Sequence, residues 1–239
     1  MSLAFKIRNQ FWGKLKLRAK LPQPKLSFLG TNEHEFYKLL IDSVTSESLR
    51  DQFSCVVDVG CRNWSYVAAL ADSFRFAELI GIELDGGRRY YNLHRRIDMA
   101  NAFAAELLFS ADPNKLGRLA RAVHADFLDF EFDDYVGSNH DKNNTLFTFF
   151  FPFVSVNPCK KWGIPKQYSD FDTVISRATE QCGASNLLSA HQGEWEASIA
   201  QNVYEKHKLS VQHKVVNPPK YWPNPYEIHI FLSTNALKY

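Results

Sequence analysis

A chain of 239 residues that is 45% hydrophobic, with 19 Phe, 10 Tyr and 5 Trp, can bury the core of one α/β domain, which excludes wholesale disorder. A net charge of +2 singles out neither nucleic acid nor an acidic partner. The four cysteines, at 55, 61, 159 and 182, contain no Cys-x-x-Cys pair, so no zinc framework, disulfide set or other metal site is expected, and reduced thiols in a cytoplasmic protein are the default. No apolar run reaches the roughly 18 residues of a membrane span, and the N-terminus lacks the continuous apolar stretch of a secretory signal.

Charge is unevenly placed. The first 32 residues hold seven Lys/Arg and no acid, which leaves 21 basic and 26 acidic residues beyond them, a net −5. Phe5, Ile7, Phe11, Trp12, Leu15 and Leu17 alternate there with lysines and arginines. The pattern fits an arm that packs its aromatics on the domain, or a basic amphipathic helix for nucleic acid or an anionic surface, and the first is favoured. Pro22 and Pro24 end the segment, and Thr31-Asn32-Glu33 caps a helix carrying Phe36, Leu39, Leu40 and Val44. Residues 1–50 thus form a basic arm and a helix, and residues 51–239 the main domain.

That domain reads as strand–helix units. Cys55–Val59 is strand one, and a helix follows from about Ser65 to Phe74. Glu78–Ile82 is strand two, broken at Gly86-Gly87, with a long helical pattern from Arg88 to about Phe109. A short third strand, Arg121–His124, leads to Asp126, and Thr145–Phe150 is a wholly apolar fourth. Such runs suggest strands covered on both faces. Residues 151–169, with three prolines, read as a loop over the site. A helix from Asp170, a strand at Ser185–Ala190 and a helix at Glu194–His207 come next. Leu209–Val216 and Tyr226–Ser233 both alternate, which predicts an antiparallel edge hairpin. The fold class is α/β: a Rossmann-like open sheet of mostly parallel strands with a C-terminal antiparallel hairpin and helices on both faces.

Acids stand at the ends of the first three strands: Asp58, Glu83 and Asp126. Ligands of open parallel sheets bind outside those strand ends. The stretch Asp58-Val59-Gly60-Cys61-Arg62-Asn63-Trp64 is a strand, a tight loop and a helix start, but it keeps one glycine where a dinucleotide fingerprint needs three. With Gly81-Ile82-Glu83 and Ala125-Asp126, it resembles the class I S-adenosylmethionine-dependent methyltransferases over roughly residues 50–235. The resemblance implies an S-adenosylmethionine cofactor, with Asp58 and Gly60 under its methionine part, Glu83 on the ribose hydroxyls, and Asp126 at the adenine amine beside Phe127. Carboxylates suit those hydroxyls because charge-assisted hydrogen bonds are the stronger kind.

Two departures stand out. Arg62 and Trp64 occupy places where the family has glycine, so Arg62 either pairs with the methionine carboxylate or fills the pocket. Strand four ends in Phe149-Phe150-Phe151-Pro152-Phe153, without the polar group that amino-methylating members place there. Phe151, Phe153, His191, Tyr221 and Trp222 are candidate substrate contacts, with His191 and Glu194 as a base and its orienter; packing roles are the competing reading for each. The sequence names no catalytic residue and no acceptor. It implies methyl transfer by in-line displacement, with a non-catalytic binding or scaffold module as the alternative.

Overall fold

A computed structural model describes residues 32–89, 94–108, 118–135, 142–184, 186–222 and 225–234. The expected basic arm falls, but for Asn32, outside the described residues. Seven strands form one sheet: β1 (Cys55–Val59), β2 (Glu78–Ile82), β3 (Leu119–Val123), β4 (Thr145–Phe150), β5 (Asn186–Gln192), β6 (Val211–Val216) and β7 (Ile228–Ser233). Their order is β3-β2-β1-β4-β5-β7-β6. Strands β1 to β5 run parallel, and β7 pairs antiparallel with both β5 and β6. The chain winds outward one way from β1 through β2 to β3 and the other way from β4, so the crevice between β1 and β4 is a topological switch point.

The apolar runs are explained by a core on each side of the sheet, fed by alternate residues of the same strand. Val56, Leu146, Leu188 and Ile230 face the first core, with helices α1 (Asn32–Asp42), α3 (Val67–Ser73) and α4 (Arg96–Leu108); the short α2 (Glu47–Arg50) adds Leu49 to it. Val57, Phe147, Leu187 and Phe231 face the second core. It is covered by α7 (Phe171–Ser176) and α8 (Gly193–Lys206), and the turn α5 (Phe132–Tyr135) contributes Phe132. The hairpin is confirmed, but only β6 is an edge. Strand β7 alternates in sequence and yet is buried on both faces, because Ile228, Ile230 and Leu232 enter the first core and Phe231 the second.

Two elements differ from the sequence reading. The long helix begins at Arg96 and not at Arg88, because residues 85–88 close a turn (Arg88 N–H to Asp85 C=O, 3.0 Å) and Arg89 bridges to Arg95. The stretch 151–169 is not all loop. It holds α6 (Val156–Trp162) and a 3₁₀ turn, Lys166–Ser169. Pro158 stands in the first turn of α6, where its missing N–H costs no helical bond, and Gly163 ends the helix with φ 64°.

Candidate functional site

A cavity of about 380 Å³ opens at the carboxyl ends of the strands around the switch point. Its floor begins with the loop after β1. Gly60 N–H and Cys61 N–H both donate to Ile82 C=O, at 2.8 and 3.2 Å, which ties the loop to the end of β2. Gly60 has φ 80°, and a Cβ there would meet nothing within 4 Å, so the backbone offers the cavity an open cradle. Arg62 and Trp64 take φ 57° and 56°. The loop therefore keeps left-handed backbone at the two places where glycines are missing, at a strain cost of order 1 kcal/mol each.

The two side chains go separate ways. Trp64 is fully buried, and its indole N–H donates to Asp58 Oδ2 at 2.8 Å. Its room comes from Gly81, where an added Cβ would lie 3.1 Å from the indole and 2.8 Å from Cys61 Sγ. Arg62 lines the cavity, and its guanidinium forms no hydrogen bond or ion pair among the described residues. Trp64 thus leaves the cavity clear, and Arg62 stands at its lining with its charge also felt by Tyr37, Tyr66 and Glu33.

Asp58 is turned away from the cavity. The pleat aims it at the first core beside Val56, where Thr148 Oγ1 donates to Oδ1 at 2.6 Å and Tyr66 OH joins Trp64 on Oδ2 at 2.7 Å. Burial pushes its carboxyl up to about 6 despite those three donors. It braces the loop from behind and does not face a cation in the cavity.

Glu83 lies at the cavity wall, 4% exposed. Its Oε2 accepts the Arg62 N–H at 2.7 Å, and Oε1 accepts the Asp85 N–H at 2.7 Å and Arg96 Nη1 at 3.2 Å. The carboxylate is thereby held in one orientation, with acceptor capacity left on Oε2. Asp85, fully buried, pairs with Arg88 and lies 3.8 Å from Arg96, so two acids and two arginines alternate beneath the wall.

The opposite wall is apolar: Phe149, Phe150, Phe151, Pro152 and Phe153, with Phe151 at φ 55°. The segment read as a loop closes the top through Trp162, Ile164 and Tyr168. Arg88 lies 5.6 Å from the centroid of the Trp162 ring and donates to its carbonyl at 3.0 Å, while Tyr168 OH donates to Asp126 Oδ1. Burial, and then the bond to Asp126, push the Tyr168 phenol well above its ordinary value.

Among the residues expected from sequence, the cavity gathers Gly60, Arg62, Glu83, Phe127, Phe151 and Phe153. Asp126 is outside its lining and caps a 3₁₀ turn by accepting the Leu128 N–H at 3.0 Å. His191 is fully buried among Phe171, Tyr204 and Phe231, bonded to Ser189, and burial lowers it to about 3. It cannot reach a substrate as a base, and Glu194 does not orient it. Trp222 stacks on Phe36 and Phe151 outside the lining, and Tyr221 is exposed. Arg96, Trp162, Tyr168 and Gln192 were missed. Arg96 sits inside a helical pattern, and the other three follow no spacing rule. The four cysteines are free and buried, and burial raises Cys55 to about 12 and Cys159 and Cys182 to about 11, which makes them poor nucleophiles. Among the described residues no metal-binding cluster occurs, and no helix is long and apolar enough to cross a membrane.

No family model matches the sequence, and no curated protein does. The structure is similar to magnesium protoporphyrin IX methyltransferase of Synechocystis PCC 6803, solved with bound SAM. The two share 11% identity over 98% of this chain and 99% of that one, with a TM-score of 0.57. The same enzyme with SAH gives 12% identity, 96% and 99% coverage and a TM-score of 0.52. The methyltransferase domain of bacterial CtHen1-C gives 13% identity, 85% and 98% coverage and a TM-score of 0.51. Identities so low speak to architecture, and with the observed strand order they show that this chain has the Rossmann-like fold of the class I S-adenosylmethionine-dependent methyltransferases.

Proposed function

We propose that the cavity binds S-adenosylmethionine and that the chain transfers its methyl group to an acceptor. The observation that carries this reading is the loop Gly60–Trp64. It holds left-handed backbone at two places where the family has glycine, leaves the cradle at Gly60 open, and ties the Arg62 N–H to the oriented Glu83. Arg62 suits the methionine carboxylate, the open capacity of Glu83 suits a ribose hydroxyl, and Phe127 lies against the base. Bound cofactor would supply a sulfonium-activated methyl, so transfer needs positioning of an in-line acceptor more than a base. That agrees with the cavity, where Tyr168 OH is engaged by Asp126 and His191 is sealed in the core. For the basic first 32 residues, heparin binding lost on their deletion would support a contact for nucleic acid or another anionic partner, and unchanged binding is expected of the favoured packing arm.

The test is calorimetric titration with S-adenosylmethionine and S-adenosylhomocysteine. Saturable binding of both is expected, with Glu83→Ala weakening it by about 1.5–3 kcal/mol, the scale of a charged hydrogen bond. No binding of either at millimolar ligand would sink the proposal. It would favour the second reading, a scaffold that keeps the fold alone. One observation supports that reading: three protein donors already occupy Glu83.

A further inference from the structure

The base end of the cavity departs from what the resemblance implies. There Asp126 is the group assigned to the adenine amine. In the structure its Oδ1 accepts both the Leu128 N–H and the Tyr168 OH, and the residue is 8% exposed. Its neighbours Ala125 and Phe127 line the cavity and Asp126 does not, as expected where an extended backbone sends successive side chains to opposite sides. Tyr168 does line it, so the phenol stands between the cavity and the carboxylate. The phenol gives its one proton to Asp126, and its oxygen accepts the Leu128 N–H at 3.4 Å. The side chains around this end (Ile82, Leu84, Phe127, Ile164 and the Tyr168 ring) are apolar apart from the Tyr168 hydroxyl, and Asp126 is not among them.

Resting on the cofactor reading above, we infer that this site holds the cofactor's base by apolar and ring contact, with Tyr168 as the specificity-determining residue, and does not read the adenine amine through Asp126. A site built around an amine hydrogen bond rejects the analogue lacking it by tenfold or far more, because its buried acceptor is left unpaired. A site built on ring contact is blind to the change.

The experiment compares S-adenosylhomocysteine with S-inosylhomocysteine, in which a carbonyl oxygen replaces the amine, by titration into the full chain. The two dissociation constants are expected to agree within about threefold. Asp126→Asn, which keeps the turn's cap, should move both by the same factor. Tyr168→Ala should weaken both about tenfold or more in parallel, and Tyr168→Phe should leave both within about threefold. A preference of tenfold or more for the adenosyl ligand overturns the inference, as does an Asp126→Asn variant that loses affinity for that ligand alone. If S-adenosylhomocysteine fails to bind at all, the cofactor reading falls first and this one with it. The ratio of the two ligands thus tests the base contact, and binding itself tests the cofactor.

Discussion

Arg62 shows how one side chain is asked to meet two demands. Its backbone sits at φ 57°, which a glycine would adopt freely, yet its N–H anchors to Glu83, the residue lines the cavity, and its charge interacts with Tyr37, Tyr66 and Glu33. The two demands separate in Arg62→Gly. Relief of left-handed strain and the larger entropy of a glycine in the unfolded chain are each of order 1 kcal/mol and oppose one another. Stability to urea is expected to stay within about 1 kcal/mol of the parent, while affinity for S-adenosylhomocysteine falls at least tenfold with the lost cation. A variant that binds as well as the parent would remove Arg62 from the site. Trp64 behaves differently because its indole is wholly buried and holds Asp58. Trp64→Gly should cost about 3–5 kcal/mol through the cavity it leaves, whatever strain it relieves. A cost under 1 kcal/mol would mean that the ring does not support the loop.

At the scale of elements, α1 is a helix whose two faces can be compared directly. Phe36, Tyr37, Leu40 and Ile41 are buried in the first core, and Tyr37 stacks on Tyr66 with ring centroids 3.9 Å apart. Leu39, one position from Leu40, is 44% exposed. Leu40→Ala should lower stability by about 2–5 kcal/mol and Leu39→Ala by no more than about 0.5, read by urea or thermal unfolding. Equal effects would show that α1 is not seated on α3. The sequence made such elements legible where a periodic pattern met a clear stop: all seven strands, the helix at Asn32, and the helix before Leu209. It also marked Glu83 as a strand-end acid. It hid what depends on space between distant residues. Asp58 looks like a ligand contact until the pleat aims it at Trp64, and Gly81 gives no sign by itself that it makes room for that ring. Tyr168 reaches Asp126 across 42 residues, from a stretch whose prolines suppress any period. That this stretch lies over the site was legible, but not that it does so as α6 and a 3₁₀ turn.

Over the whole molecule, the sheet carries a perturbed carboxyl in one core and a perturbed imidazole in the other, and they work against each other. Asp58 faces the first core and is raised by burial from 3.8 to about 6. His191 faces the second core and is lowered from 6.5 to about 3 by burial and then by His229. Between about pH 4 and 6 the folded state keeps a proton on Asp58 that the unfolded chain has released, so this site makes stability fall as pH rises, by about 3 kcal/mol in total. Over the same range the unfolded chain protonates His191 and the folded state does not, so that site makes stability rise with pH and lose ground as pH falls below 6.5. One proton in each direction gives slopes of about 1.4 kcal/mol per pH unit that cancel. Asp58→Asn leaves the His191 slope uncompensated: relative to the parent, its stability should climb with pH by about that amount per unit from pH 4 to 6. An amide can still accept from Trp64 and Tyr66 and donate to Thr148, so the loop is kept. His191→Gln should show the opposite tilt over the same range. Urea unfolding at pH 4, 5, 6 and 7 reads both variants. Profiles parallel to the parent in both would show that neither group titrates between the folded and unfolded states as its burial requires.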